Sequence, residues 1–275
     1  MMKRLFTLLS MMLVLICASA QDEKTPVCMG HFQNKADVSE MVVNTLRTEL
    51  ITGINNKGRL TLVDITTLGD SVPTSKNEML KFLSEKGIEF LIEGSLNSVT
   101  CNKGEQYYSA EVNYSLTVIE TETGVTKATE SYKDTWSTGD SGDDAIMNAL
   151  GRAKSHMSRF VDKNFKLEAF IKELDQVDAK KGAKTCYISI GSAQGIAKGQ
   201  ILEVFARVEV AGEQVDKKIG ELKAKEVLSE TLTLCDVEKG HKEIQTNYEK
   251  NIPLKVVSRA KKQFDINKAM NTIGI

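Results

Sequence analysis

Tyr108-Ser109-Ala110-Glu111-Val112-Asn113-Tyr114-Ser115-Leu116-Thr117-Val118 alternates apolar and polar side chains without a break. A period of two belongs to a strand with one face buried and the other solvated. Glu120-Thr121-Glu122-Thr123-Gly124 turns the chain, and Lys127 to Trp136 reads as the antiparallel return. Upstream the period changes. Val27 to Phe32 is a short, mostly apolar run, readable as a buried strand. Val38, Met41, Val42, Leu46, Leu50, Ile51 and Ile54 follow at helical spacing, behind a capping box of Asp37 and Glu40. Asn55-Asn56-Lys57-Gly58 ends that helix, and Arg59 to Ile65 forms a second strand. Ser75 and Glu78 open a second helix through Met79, Leu80, Phe82 and Leu83, with Gly87 as its stop. Ile88 to Val99 is a third strand. Strand–helix–strand–helix–strand requires right-handed crossovers and parallel pairing, so the alternating hairpin adds antiparallel strands to a parallel core. Ser141 then caps a last helix with Ile146, Leu150, Ala153, Met157, Phe160 and Val161 on its core face. The expected class is α/β, a mixed parallel and antiparallel sheet sandwich over residues 21–164.

Beyond it, Leu167 to Val177 and Lys184 to Ile190 flank Lys180-Lys181-Gly182 as a hairpin. Gly191, Gly195 and Gly199, four residues apart, mark a tight corner. Strands are expected at Gln200 to Val210, Lys218 to Val227, Glu230 to Val237 and Pro253 to Val257, with His241 to Lys250 a short helix or turn. Five or six short strands with glycine turns suggest a small SH3-like or OB-like β-barrel over residues 165–258. Residues 259–275 read as a tail.

Residues 1–20 have the form of a secretory signal peptide. Lys3 and Arg4 form the positive region, Leu5 to Ile16 is apolar, and Ala18-Ser19-Ala20 offers the cleavage site. Ile16 stands where a lipobox before Cys17 needs a small side chain, so the expected product is unlipidated and periplasmic. The chain carries 36 Lys and Arg against 37 Asp and Glu, and two of the cations lie in the leader. The acidic balance argues against a nucleic-acid partner, which needs a basic face.

Cys28, Cys101, Cys186 and Cys235 remain after the leader. An oxidising compartment permits disulfides, and four cysteines admit three pairings. Two per domain favours Cys28–Cys101 and Cys186–Cys235, while buried thiols are the plainer reading. With no CxxC or Cys/His cluster, no structural zinc site is expected.

No catalytic, cofactor-binding or metal residue is assigned. The turn Gly30-His31-Phe32-Gln33-Asn34-Lys35-Ala36-Asp37 holds one glycine and neither a G-x-G-x-x-G nor a P-loop. Gly139-Asp140-Ser141-Gly142-Asp143-Asp144 is acidic, but its spacing departs from a calcium loop and suits a helix start. Gly191-Ser192 lacks the flanking glycines of a nucleophile elbow. Of the histidines His31, His156 and His241, His156 is expected on a solvated helix flank, and His31 lies at a strand end, where α/β sites gather.

Val27 to Phe32, the helix after Asp37, Arg59-Leu60-Thr61-Leu62-Val63-Asp64 and Gly87-Ile88-Glu89-Phe90-Leu91-Ile92-Glu93-Gly94-Ser95-Leu96 together resemble the CsgG-type family of bacterial envelope proteins, named for the curli assembly and transport component. The same CsgG/TolB-N-like core recurs in the penicillin-binding-protein activator LpoB and in flagellar assembly protein T. The latter's C-terminal module is similar to Tyr187-Ile188-Ser189-Ile190-Gly191 with Gly195 and Gly199. The resemblance implies a non-enzymatic envelope accessory or assembly protein that binds envelope or secretion-complex proteins. It leaves self-association and peripheral outer-membrane association open. The alternative it implies is a subunit of a curli-type export ring, for which 108–136 is the only long alternating hairpin.

Overall fold

The computed structural model describes residues 24–260, the side chains of Asp70 and Asp134 aside. Residues 1–20, read above as a leader, with Cys17 among them, and the tail after residue 260 lie outside the described residues. Two compact units result. One runs to Phe165 and includes Gly191–Ile196; the other comprises Lys166–Ile190 and the chain from Ala197.

The first unit is a five-stranded sheet in the order β2-β1-β3-β4-β5. Its strands are β1 (Thr25–Asn34), β2 (Leu60–Asp64), β3 (Phe90–Lys103), β4 (Tyr108–Glu120) and β5 (Thr126–Gly139). β1 pairs in parallel with β2 and β3, and β3–β4 and β4–β5 are antiparallel. Val27, Met29, Ile92, Val112, Tyr114, Leu116 and Val118 face two helices, α1 (Glu40–Asn55) and α3 (Gly142–Asn164), in one continuous core. The helices cross closely at Gly53, where a Cβ would lie 2.5 Å from the Lys154 carbonyl oxygen.

On the opposite face, Cys28, Leu91 and Ile119 form one row across β1, β3 and β4. Leu80 and Leu83 of α2 (Lys76–Glu85), with Ile65 of a 3₁₀ turn (Ile65–Ser71), cover that row. The following rows, Glu93 with Thr117 and Ser95 with Ser115, are polar. Apolar cover ends where the apolar residues end, as burial energetics requires.

Several local expectations are corrected. Asp37 has φ 53°, so it cannot be the extended N-cap, and the capping box is not made. α1 starts two residues later behind Ser39, and the Asn34 side chain bonds both the N–H and the carbonyl of Val38. Ser75 is the N-cap of α2 but makes no side-chain bond there. Met41 is 64% exposed rather than in the core. Ser141 caps α3 as expected, accepting from the Asp144 N–H.

The second unit is a closed six-stranded antiparallel barrel, ordered β10-β7-β6-β11-β8-β9. Its strands are β6 (Glu168–Asp178), β7 (Gly182–Ile188), β8 (Ile201–Val210), β9 (Glu213–Val227), β10 (Thr233–Lys239) and β11 (Leu254–Ser258). Ala169, Ile171, Cys186, Ile188, Leu202, Val204, Leu222, Cys235, Leu254 and Val256 are buried, a small-residue and branched interior that suits a narrow barrel. α4 (His241–Glu249) packs on β7, β9 and β11 and buries Ile244, while His241 Nδ1 lies 2.7 Å from the Ala183 carbonyl oxygen.

Candidate functional site

In α/β sheets, ligands gather at the carboxyl ends of the parallel strands. Here the register of β1 against β3 shifts between Met29 and Phe32, beside the carbonyls of Met29 and Gly30. Arg47 of α1 reaches both: Nε donates to the Gly30 carbonyl and Nη2 to that of Met29, each at 3.1 Å. The same guanidinium grips Asp64 at the end of β2, with Nη1 2.8 Å from Oδ2 and Nη2 on Oδ1. Thr66 adds its N–H at 2.8 Å and its hydroxyl at 2.5 Å to Asp64 Oδ1. These bonds, Arg47 foremost, hold the Asp64 carboxyl down at about 2. Every donor of this cluster that reaches Asp64 or those carbonyls is engaged within the fold, so the cluster acts as a brace. His31, within the shifted stretch, is exposed and is not joined to it.

His156 is not on a solvated flank. Its Nδ1 lies 2.8 Å from Tyr114 Oη, and its ring stacks on Tyr132 at 5.1 Å and 7°. Tyr132 stacks in turn on Tyr114 at 4.8 Å. Burial lowers the His156 pKa and raises those of both tyrosines. The Tyr132 hydroxyl donates to Glu130 at 3.2 Å. Burial pushes the Glu130 carboxyl up, but bonds from Asn164 and Lys163 outweigh it and hold the group below its ordinary value. This stack seals the sheet under α3, and the sequence gives no sign of it because its members lie far apart in the chain.

The acidic loop before α3 serves as a cap: the Ser141 hydroxyl also donates to Asp144 Oδ2 at 2.6 Å. Gly195 and Gly199 have φ 74° and 81°, the left-handed corner their spacing suggests. Among the described residues no group of three or more His, Cys, Asp or Glu side chains could hold a metal ion. A groove of about 430 Å³ runs between α2 and the β4–β5 turn, lined by Leu80, Ser84, Glu85, Thr121 and Glu122.

Among the described residues, Cys28, Cys101, Cys186 and Cys235 stand as free thiols in the structure. Cys28 lies opposite Leu91 on β3, and Cys101 is ten residues further along that strand. That separation is about 30 Å at a strand's rise, far beyond the roughly 7 Å a disulfide permits. The structure therefore excludes the Cys28–Cys101 pairing. Cys186 and Cys235 are buried register partners on β7 and β10.

One surface able to engage another molecule is the end of the sheet face turned away from α1 and α3. Trp136, the chain's single tryptophan, is 47% exposed and pairs with Glu111 on β4, so it points away from α1 and α3. Tyr107, at the mouth of the β3–β4 hairpin, is 52% exposed. Between these aromatic groups and the covered row lies a polar lattice. Ser95 donates to Asn97 at 2.9 Å, Asn97 to Ser115 at 3.3 Å, and Asn113 to Ser98 at 3.0 Å and to Glu111 at 2.9 Å. β5 is the sheet's edge strand, and 14 residues is a long edge. Lys127 and Lys133 along it are the charges that discourage indiscriminate pairing.

No family model matches the sequence, and no curated protein matches it. Among solved structures, the chain is similar to the PelC dodecamer from Paraburkholderia phytofirmans at 8% identity, over 50% of this chain and 86% of that one, with a TM-score of 0.35. It is similar to lipoprotein GNA1162 from Neisseria meningitidis at 7% identity, over 50% of this chain and 99% of that one, with a TM-score of 0.37. Similarity to the LpoB C-terminal domain from Escherichia coli is at 14% identity, over 44% of this chain and 90% of that one, with a TM-score of 0.31.

Proposed function

We propose that this chain is a non-enzymatic accessory or assembly protein of the bacterial envelope, exported by its leader, that works by binding other proteins. The CsgG-type resemblance in its sequence supports this reading. The observation that carries it is Trp136, a large aromatic group left in solvent on an open edge strand. Tryptophan is among the residue types enriched at the anchoring positions of protein interfaces, and an open edge offers main-chain groups to an incoming strand. A photo-crosslinking residue at position 136, introduced in cells, is expected to capture an envelope protein or a second copy of this chain. Capture from a control position on α2 but not from 136 overturns the assignment of the surface.

The export-ring alternative needs 108–136 to face lipid. On β4 the side away from the helices carries Ser109, Glu111, Asn113, Ser115 and Thr117, groups that hydrocarbon does not solvate. The accessory reading is therefore preferred.

A further inference from the structure

We infer that Cys186 and Cys235, free thiols in the structure, are placed to close on oxidation into a cross-strand disulfide that staples the barrel at the seam between β7 and β10. The β7–β10 ladder runs Thr233↔Ile188, Leu234↔Tyr187, Cys235↔Cys186 and Asp236↔Thr185, with no slip in register. The two cysteines are thus directly opposed, and both side chains point into the barrel with no solvent exposure. Opposed residues of an antiparallel ladder have Cα atoms about 4.5–5.5 Å apart, within the roughly 4.4–6.8 Å of disulfides. Neither thiol has another cysteine beside it. The second ladder neighbour of Cys186 is Leu174, and that of Cys235 is Ala224.

The place matters as much as the distance. β6–β7, β8–β9 and β9–β10 are joined by short connections, whereas β7 and β10 meet across roughly 50 residues of chain, the kind of loop whose closure a crosslink stabilises most in the chain-entropy account. The bond forms between the two sulfur atoms, and the two thiols give up two protons and two electrons. A disulfide oxidant accepts them, either an oxidised dithiol carrier of the envelope or oxidised glutathione in vitro, and is itself reduced to two thiols. Exchange needs an accessible thiolate. In the closed barrel burial pushes the Cys186 thiol up to about 12 and raises that of Cys235 as well. The bond therefore forms while the strands are still open and is shielded once they close.

The test is to express the full chain with its own leader, quench the envelope fraction in acid, alkylate it under denaturing conditions without reductant, and map the peptides. The expected result is one linked pair joining Cys186 to Cys235, with Cys28 and Cys101 alkylated. Purified protein should lose roughly 5–15 °C in Tm on full reduction. Cys235→Ala should abolish that dependence and leave Cys186 open to alkylation once unfolded. A second sample, opened in mild denaturant with oxidised glutathione and then refolded, should give the same linked pair. Alkylation of both barrel cysteines in both samples overturns the inference, and so does any bridge that includes Cys28 or Cys101.

Discussion

Asp162 shows how single side chains brace the first unit. It is 3% exposed near the end of α3, with Lys57 Nζ and Arg59 Nη1 each 2.9 Å from its Oδ1. Arg59, itself buried, also donates to the Phe165 carbonyl at 3.2 Å. Removing one partner of a buried pair strands the other charge, which typically costs about 3–5 kcal/mol. Asp162→Asn is therefore expected to lower the urea midpoint markedly, and an unchanged midpoint would show that water reaches the pair. His156 makes a pH prediction. Burial lowers its folded pKa from 6.5, so the unfolded chain binds a proton there more readily than the folded one. That group's contribution is intact above about 6.5 and is lost as pH falls below it. His156→Gln keeps a polar partner for the Tyr114 hydroxyl but does not titrate. Its stability curve should be flatter than the parent's between pH 6.5 and the carboxylate range, and equal slopes would refute the assignment.

At the scale of elements, the α1–α3 contact is set by Gly53, because a Cβ there would meet the Lys154 carbonyl oxygen at 2.5 Å and the Met157 Cβ at 2.8 Å. Backbone on both sides prevents easy relief, so Gly53→Ala should cost about 1–3 kcal/mol by overpacking despite its better helix propensity. A gain in Tm would show the helices free to part. Element order could be read from the sequence because apolar periodicity is local: Val38 to Ile54, Tyr108 to Val118 and Ile146 to Val161 each show their period within one segment. Other features depended on partners distant in the chain. The end of β3 beyond Val99, Thr100 to Lys103, has little apolar signal and is a strand because β4 pairs with it. Arg47 is the one long cation among the buried positions of α1, and its partners at Met29, Gly30 and Asp64 become visible only when the strands are side by side. The Asp37–Glu40 motif had the right letters, but Asp37 is held at a positive φ and the helix starts behind Ser39. Of the candidate surface, only the alternation of β4 could be read in advance. That Trp136 joins the polar face depends on the bulge in the β4–β5 pairing between Val112 and Tyr114, which changes the phase of β5.

For the whole molecule, the question is whether the uncovered sheet face meets lipid or protein. A membrane hairpin must present apolar groups to hydrocarbon at every second position. On β4 the apolar set Ala110, Val112, Tyr114, Leu116 and Val118 is already buried under the helices, which leaves Glu111, Asn113, Ser115 and Thr117 for the outside. Turning the strand over would expose the core instead, because a sheet cannot show its apolar residues on both faces. No helix among the described residues is long and apolar enough to cross a bilayer. Light scattering coupled to size exclusion should therefore return the same mass for residues 21–275 with and without detergent. The single tryptophan gives a second readout on the same sample. Trp136 should emit as a water-exposed indole and be quenched readily by acrylamide, and both properties should change when a captured partner is added back. Trp136→Ala should weaken that binding about tenfold or more, as loss of an interface anchor does, and leave Tm within a few degrees. A large assembly that forms only in detergent, with Trp136 shielded inside it, would reverse the argument and identify 108–136 as a membrane hairpin.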